Sequence, residues 1–257
     1  MKTGYCFLFL CATLSAQWIN IPIPGTPRTS DGKPNLSAPA PRMADGKPDF
    51  TGLWGMNPGG YQNNYAADLK PEDIQPWAAD LAKQRAANVG RENPSSTGCL
   101  PKGPHANTTA FLMEKFIQTP SVLVMLVEDM NYRQIHLDGR PLPKDPDPSF
   151  MGYWTARWEG DTLAAEGNGF KDSIWLDIGG HPVTDALHIT ERYRRLDFGH
   201  IEITKTIDDP KVFNKPFLFV FKAERVPDTE ILEFVCAENE KDRQHMVGTA
   251  ADSKPPK

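Results

Sequence analysis

Long apolar stretches are missing from this 257-residue chain. The N-terminal run Tyr5–Leu14 falls well short of the ~20 residues a membrane-spanning helix needs, and no later segment is apolar for longer. A basic excess is missing too. Lys and Arg number 28 against 33 Asp and Glu, a formal net charge of −5, which argues against a phosphate-reading nucleic-acid face. Cysteine is scarce, with four residues and no Cys-x-x-Cys spacing, so a thiol-redox motif and a structural zinc site lose ground. The Gly-x-Ser-x-Gly elbow, the phosphate loop, the dinucleotide fingerprint and His-Glu-x-x-His are all absent. Serine hydrolases, nucleotide enzymes and helical zinc proteases recede with them.

The N-terminus has a clear order. Lys2 gives a positive start, Tyr5–Leu14 an apolar core, and Ser15-Ala16 small residues before Gln17. This pattern predicts a secretory signal peptide over residues 1–16 and a periplasmic or secreted location. Lipidation at Cys11 is disfavoured, because Leu8-Phe9-Leu10 puts bulky residues where small ones are wanted. Cleavage takes Lys2 away, so the remainder is one charge more acidic, and it leaves only Cys99 and Cys236. Two cysteines in an oxidising compartment are expected to form a disulfide, worth ~4–5 kcal/mol in the chain-entropy model for so long a loop.

Residues 17–50 are rich in Pro and Gly and resist helix and central strand. Asp31-Gly-Lys-Pro-Asn-Leu-Ser recurs as Asp45-Gly-Lys-Pro-Asp-Phe-Thr, which predicts two similar turns in an extended surface arm. A β-rich domain is expected over 51–248, with a helix near 72–88 and a disordered tail at 249–257. From residue 115 the pattern is strands and turns: 117–128, 132–137, then hairpins 153–158/162–166, 186–195/200–207 and 216–225/230–236. With Glu159-Gly160 as central turn residues, Trp158 faces Asp161 and Tyr153 faces Glu166. Serial hairpins of this kind predict an antiparallel meander of about eight strands closing into a barrel, with an open sandwich as its rival.

Gly52-Leu53-Trp54 before the meander resembles the Gly-x-Trp start of lipocalin-like barrels. Asp-Gly-Lys-Pro-Asp, Trp158-Glu-Gly-Asp-Thr-Leu, Asp185-Ala-Leu-His-Ile-Thr-Glu-Arg and Glu238-Asn-Glu-Lys-Asp together resemble a family of uncharacterised exported bacterial β-rich proteins. The resemblance implies a shared architecture and transfers no catalytic residue.

Candidate site residues come from polar clusters. His181, Asp185 and His188 lie close in sequence, and two histidines with a carboxylate can hold iron or zinc. Alternation puts His188, Thr190, Arg192 and Arg194 on one face of their strand and Leu187, Ile189, Glu191 and Tyr193 on the other. Which face lines the interior is left open. In the 153–166 hairpin, Trp154 and Trp158 share a face with Leu163, whereas Tyr153 and Glu166 lie opposite. The leading expectation is an exported barrel that binds a small, partly apolar molecule, with Trp154, Trp158 and Trp175 as ligand-binding residues. The alternative is an enzyme doing general acid–base chemistry (hydratase, lyase, isomerase or hydrolase) in the same cavity. It would use His188 and His136 as acid or base, Glu166 or Asp185 as carboxylate, and Tyr153 or Arg192 to steady negative charge. No cofactor is implied, a divalent metal is left open, and neither nucleic acid nor a membrane span in the mature chain is expected. Oligomeric state is not indicated.

Overall fold

Nine short strands follow one another round a barrel in chain order. The computed structural model describes residues 21–62, 64–103 and 112–238; the expected signal peptide, His105, His245 and the expected disordered tail lie outside them. The strands are β1 (Gly52–Asn57), β2 (Met113–Gln118), β3 (Val122–Val127), β4 (Tyr132–His136), β5 (Tyr153–Glu159), β6 (Thr162–Asn168), β7 (His188–Arg195), β8 (His200–Asp208) and β9 (Phe217–Arg225). β1 closes on β9, so neither of these strands is left as a free edge. The expected closed, mainly β fold is present. It has nine strands rather than eight, and one pair, β4 with β5, is parallel.

Period-two alternation decides what faces inward. Trp54, Phe116, Leu123, Ile135, Trp154, Leu163, Ile189, Ile203 and Phe221 point into the barrel and are buried. Gly167 on β6 has no side chain because the Trp154 indole occupies that space: a Cβ there would lie 2.5 Å from the ring. Burial on this scale, about 25 cal/mol per Å² of apolar surface, is the main stabilising contribution.

Both barrel ends are covered. At the end where β1 begins, the Pro-rich arm lies over the strand turns. Its two Asp-Gly-Lys-Pro copies fold alike. Thr29 N donates to Lys33 O at 2.9 Å and Met43 N to Lys47 O at 2.8 Å, and Gly32 and Gly46 share φ 81°. Each copy presents an arginine to a turn carboxylate: Arg28 to Asp228 at 2.6 Å, and Arg42 to Asp161 at 3.0 and 2.6 Å. The arm then drives Phe50 into the barrel mouth. Its ring is fully buried, stacks on Trp158 at 5.9 Å and meets Tyr193 edge-on at 6.1 Å, while its carbonyl accepts from Trp54 Nε1 at 2.9 Å. At the other end Tyr61 and Tyr65 pack on Phe219 at 4.9 and 4.6 Å.

Three local expectations need correction. Helix α1 spans Pro76–Ala87 instead of starting at 72. Pro71–Asp73 forms a separate 3-10 turn, and Gln75, the residue before Pro76, is held extended at ψ 138° as pre-proline residues are. The β5–β6 hairpin turns on Gly160-Asp161, not Glu159-Gly160, and pairs Trp158 with Leu163 and Tyr153 with Asn168. Gly160 takes φ 61°, which suits the first central position of a type II′ turn. The shift is an even number of residues, so the assigned faces survive it. Residues 230–236 form no strand, because β1 already holds the edge of β9 that such a strand would need. That segment instead carries Cys236, bonded to Cys99 across a sequence separation of 137 residues. No helix among the described residues is long and apolar enough to cross a membrane.

Truncating the plug should separate buried from exposed ties. Phe50→Ala is expected to cost ~3–5 kcal/mol in urea unfolding. Arg42→Ala, which removes exposed bonds to Asp161 and to the Gly46 carbonyl, should lower the urea midpoint far less.

Candidate functional site

The barrel wall has a gap. β4 ends at the arm end and β5 begins at the opposite end, so the connector Leu137–Gly152 must run the length of the barrel. Four prolines, at 141, 143, 146 and 148, keep it from folding as a tight hairpin. A parallel return needs such a crossover. The resulting contact is minimal: only Ile135 with Trp154 and His136 with Thr155 are paired. Tyr132 to Gln134 have no partner on β5, and a cleft of about 400 Å³ opens there.

Its lining is aromatic and basic. The rings of Tyr132, Phe150, Tyr153 and Trp154 contribute, with His136 on the wall and Arg133 at the floor. No Asp or Glu is among the described lining residues. The His136 and Tyr153 rings sit 5.3 Å apart, and the Tyr153 hydroxyl accepts from Arg140 at 3.2 Å. Arg140 also clasps Asp138, which holds that carboxyl down to about 2. Partial burial, and then the Arg140 charge, keep the His136 pKa below its ordinary value. Trp154 Nε1 donates to Met151 O at 2.7 Å, and the Arg133 guanidinium lies 4.5 Å over the indole.

Behind the cleft floor a charged cluster fills the barrel. Arg133 donates to Glu191 at 2.8 Å and to the Tyr193 hydroxyl at 2.7 Å, and that hydroxyl donates to Glu191. Lys205 reaches the other Glu191 oxygen at 3.1 Å. All four residues are at most 4 % exposed. Burial opposes the Arg133 charge, and Glu191 beside it restores that charge and leaves its pKa raised. Burial pulls Lys205 down and pushes Tyr193 up.

Glu114 on β2 completes the group and differs from it. It is 1 % exposed, yet neither carboxylate oxygen has a hydrogen-bond partner. Burial raises its pKa to about 7, against the pull of Arg133 and Lys205 and with the push of Glu191 and Asp129. An unpartnered buried carboxylate is costly when charged and resolves the cost by taking a proton.

The residues singled out from sequence separate. His136, Tyr153 and Trp154 meet in the cleft. Trp158 lies inside the barrel against Phe50, and Trp175 is buried under Arg85 at 4.6 Å, away from the cleft. His188, Arg192 and Glu166 face outward, because β7 turns Ile189, Glu191 and Tyr193 inward. His188 Nε2 stands 3.7 Å from Glu166 Oε2, beyond hydrogen-bond reach and on the convex side. Arg192 pairs with Glu159 at 2.7 Å, Asp185 with Lys211, and His181 with Asp177 at 2.8 Å. His181, Asp185 and His188 therefore do not converge, and no group of three potential metal ligands occurs among the described residues. Sequence reading missed Arg133, Lys205 and Glu114, and placed Glu191 on an unassigned face. The available signal was a charge two residues from buried apolar neighbours: Ile189 and Tyr193 flank Glu191, and Ile203 and Ile207 flank Lys205. No family model, curated protein or solved structure matches the chain.

The raised Glu114 pKa has a consequence for stability. The folded state holds this proton more tightly than the unfolded chain, so stability is full below about pH 4.5 and falls as pH rises through about 7. The unfolding free energy of the wild type from urea titration is expected to drop across that window by an amount on the order of 3 kcal/mol at ~1.4 kcal/mol per pKa unit. Glu114→Gln should flatten the profile. A parallel drop in both proteins would contradict the assignment.

Proposed function

We propose that this chain is an exported β-barrel protein that binds a small, partly apolar molecule in the cleft between β4 and β5. The observation that carries the reading is the break in strand pairing beside Trp154. It leaves about 400 Å³ lined by rings and a few polar groups, a size and composition suited to a small ligand. The lumen is a poorer candidate, because Phe50, the core side chains and the charged cluster occupy it. The ligand site therefore moves from the barrel interior, where the meander pattern put it, to the barrel wall. Export is supported by the signal-like N-terminus and by the Cys99–Cys236 pair at disulfide distance.

An acid–base enzyme in this cleft would rely on His136 and Tyr153. No described carboxylate of the lining stands beside either ring, so binding is the better supported reading.

A thermal-shift screen of small aromatic and aliphatic compounds tests the proposal. Hits are expected to raise the melting temperature of the wild type and to lose at least ~tenfold in affinity in Tyr132→Ala and Gln134→Ala, whose side chains line the cleft and are exposed. Hits whose affinity ignores both substitutions would place binding elsewhere and refute it.

A further inference from the structure

Strand β4 offers the cleft its backbone as well as its side chains, and this narrows the ligand class, an inference that rests on the cleft being the ligand site. In an antiparallel pair, successive residues turn their peptide groups alternately towards the partner and away from it. Val127 N donates to Asn131 O at 2.9 Å and Leu137 N to Ser121 O at 2.8 Å, so the odd-numbered residues from 131 to 137 turn theirs towards β3. Tyr132, Gln134 and His136 turn theirs towards β5. β5 meets β4 only at Ile135 with Trp154 and His136 with Thr155. Among the described residues no further backbone bond joins Tyr132 or Gln134 to residues 149–152 across the cleft. The N–H of Gln134 and the N–H and C=O of Tyr132 therefore open into it.

An unpaired strand edge is a template for another extended chain, and folded proteins usually blunt theirs with outward charges, proline or a covering segment. The outward side chains here, Tyr132 and Gln134, are exposed and uncharged. Apolar surface continues past the mouth through Met130 and through Leu100, the neighbour of Pro101 in the lining. The opposite wall supplies the rings of Phe150, Tyr153 and Trp154. The open stretch from Tyr132 to Gln134 spans ~10 Å at the usual rise of a strand, room for a paired segment of about three residues. Charge adds a direction. No carboxylate is among the described lining residues, and the Lys171 ammonium stands 4.5 Å over Phe150. A peptide ending in a carboxylate suits these surroundings better than one bearing a cation.

We propose that the cleft takes the C-terminal end of a short extended peptide, which adds to the open edge of β4 as one more strand. Alternate residues of the peptide exchange N–H and C=O bonds with Tyr132 and Gln134. Its apolar side chains meet the rings of the opposite wall. Main-chain bonds supply the affinity in this mode, and the pockets for alternate side chains supply the selectivity.

The test is calorimetric titration of the folded wild-type protein with acetyl-Val-Tyr-Val carrying a free C-terminal carboxylate, with its C-terminal amide, and with two backbone N-methylated forms of the acid. One form is methylated on the central amide, the other on the two flanking amides. Only one of these sets can face β4, so one form is expected to lose ~tenfold or more in affinity and the other to stay within ~threefold of the parent. The C-terminal amide should bind more weakly than the acid. Gln134→Pro removes one edge donor without touching a bond to β3, and it should bind the parent ~tenfold or more weakly than Gln134→Ala does. If that variant does not fold, the methylated peptides still decide. Equal losses from both methylated forms, no loss from either, or an amide that binds as tightly as the acid overturns the inference. So does failure of every peptide to bind, and if thermal-shift hits still lose affinity in Tyr132→Ala and Gln134→Ala, the cleft survives as a ligand site without the peptide. If no compound of either kind responds to those substitutions, the reading beneath falls as well.

Discussion

Charge enclosed inside the barrel constrains the strands that surround it. Arg133, Glu191 and Lys205 come from β4, β7 and β8, so their contacts span the lumen rather than follow one strand. Each ion would cost several kcal/mol if left alone in that interior. The barrel is stable only when the three strands bring these side chains into contact in the observed register. A one-residue slip in any of them would turn its charge outward and leave its partners uncompensated. The same contacts fill the space in which a lipocalin-like barrel would hold a ligand.

The lumen is filled and both of its mouths are covered. The arm seals one mouth with Phe50, and Tyr61 and Tyr65 pack over Phe219 at the other. What yields is the seam where a long, proline-rich connector forces β5 to run parallel to β4 with two paired residues. Trp154 belongs to both regions. Its ring faces the barrel interior under the Arg133 guanidinium, and it also lines the cleft.

Much of this was legible in the chain. Alternation gave the faces of β5, β6 and β7 correctly, and the β5–β6 faces survived a misplaced turn because the register error was even. The repeated Asp-Gly-Lys-Pro segments do form matching loops. The cleft was half visible, since His136, Tyr153 and Trp154 were each chosen on chemistry, but their meeting depends on a parallel pairing that no local pattern announces. The buried cluster was the hardest part. A charged residue in a strand reads as solvent-facing until its partners are known, and those partners lie on distant strands. His188 attracted attention for its neighbours in sequence, yet those neighbours alternate away from it across the sheet.

The proposed ligand site is the seam between β4 and β5, against Trp154 and Arg133. Backbone amide NMR during titration with a compound that stabilises the protein tests it most directly. The account predicts that the largest shift changes fall on residues 132–136 and 149–154, with the arm and the outer face of β7 unmoved. Changes centred instead on the His188–Glu166 face, or on the Phe50 end of the barrel, would contradict it.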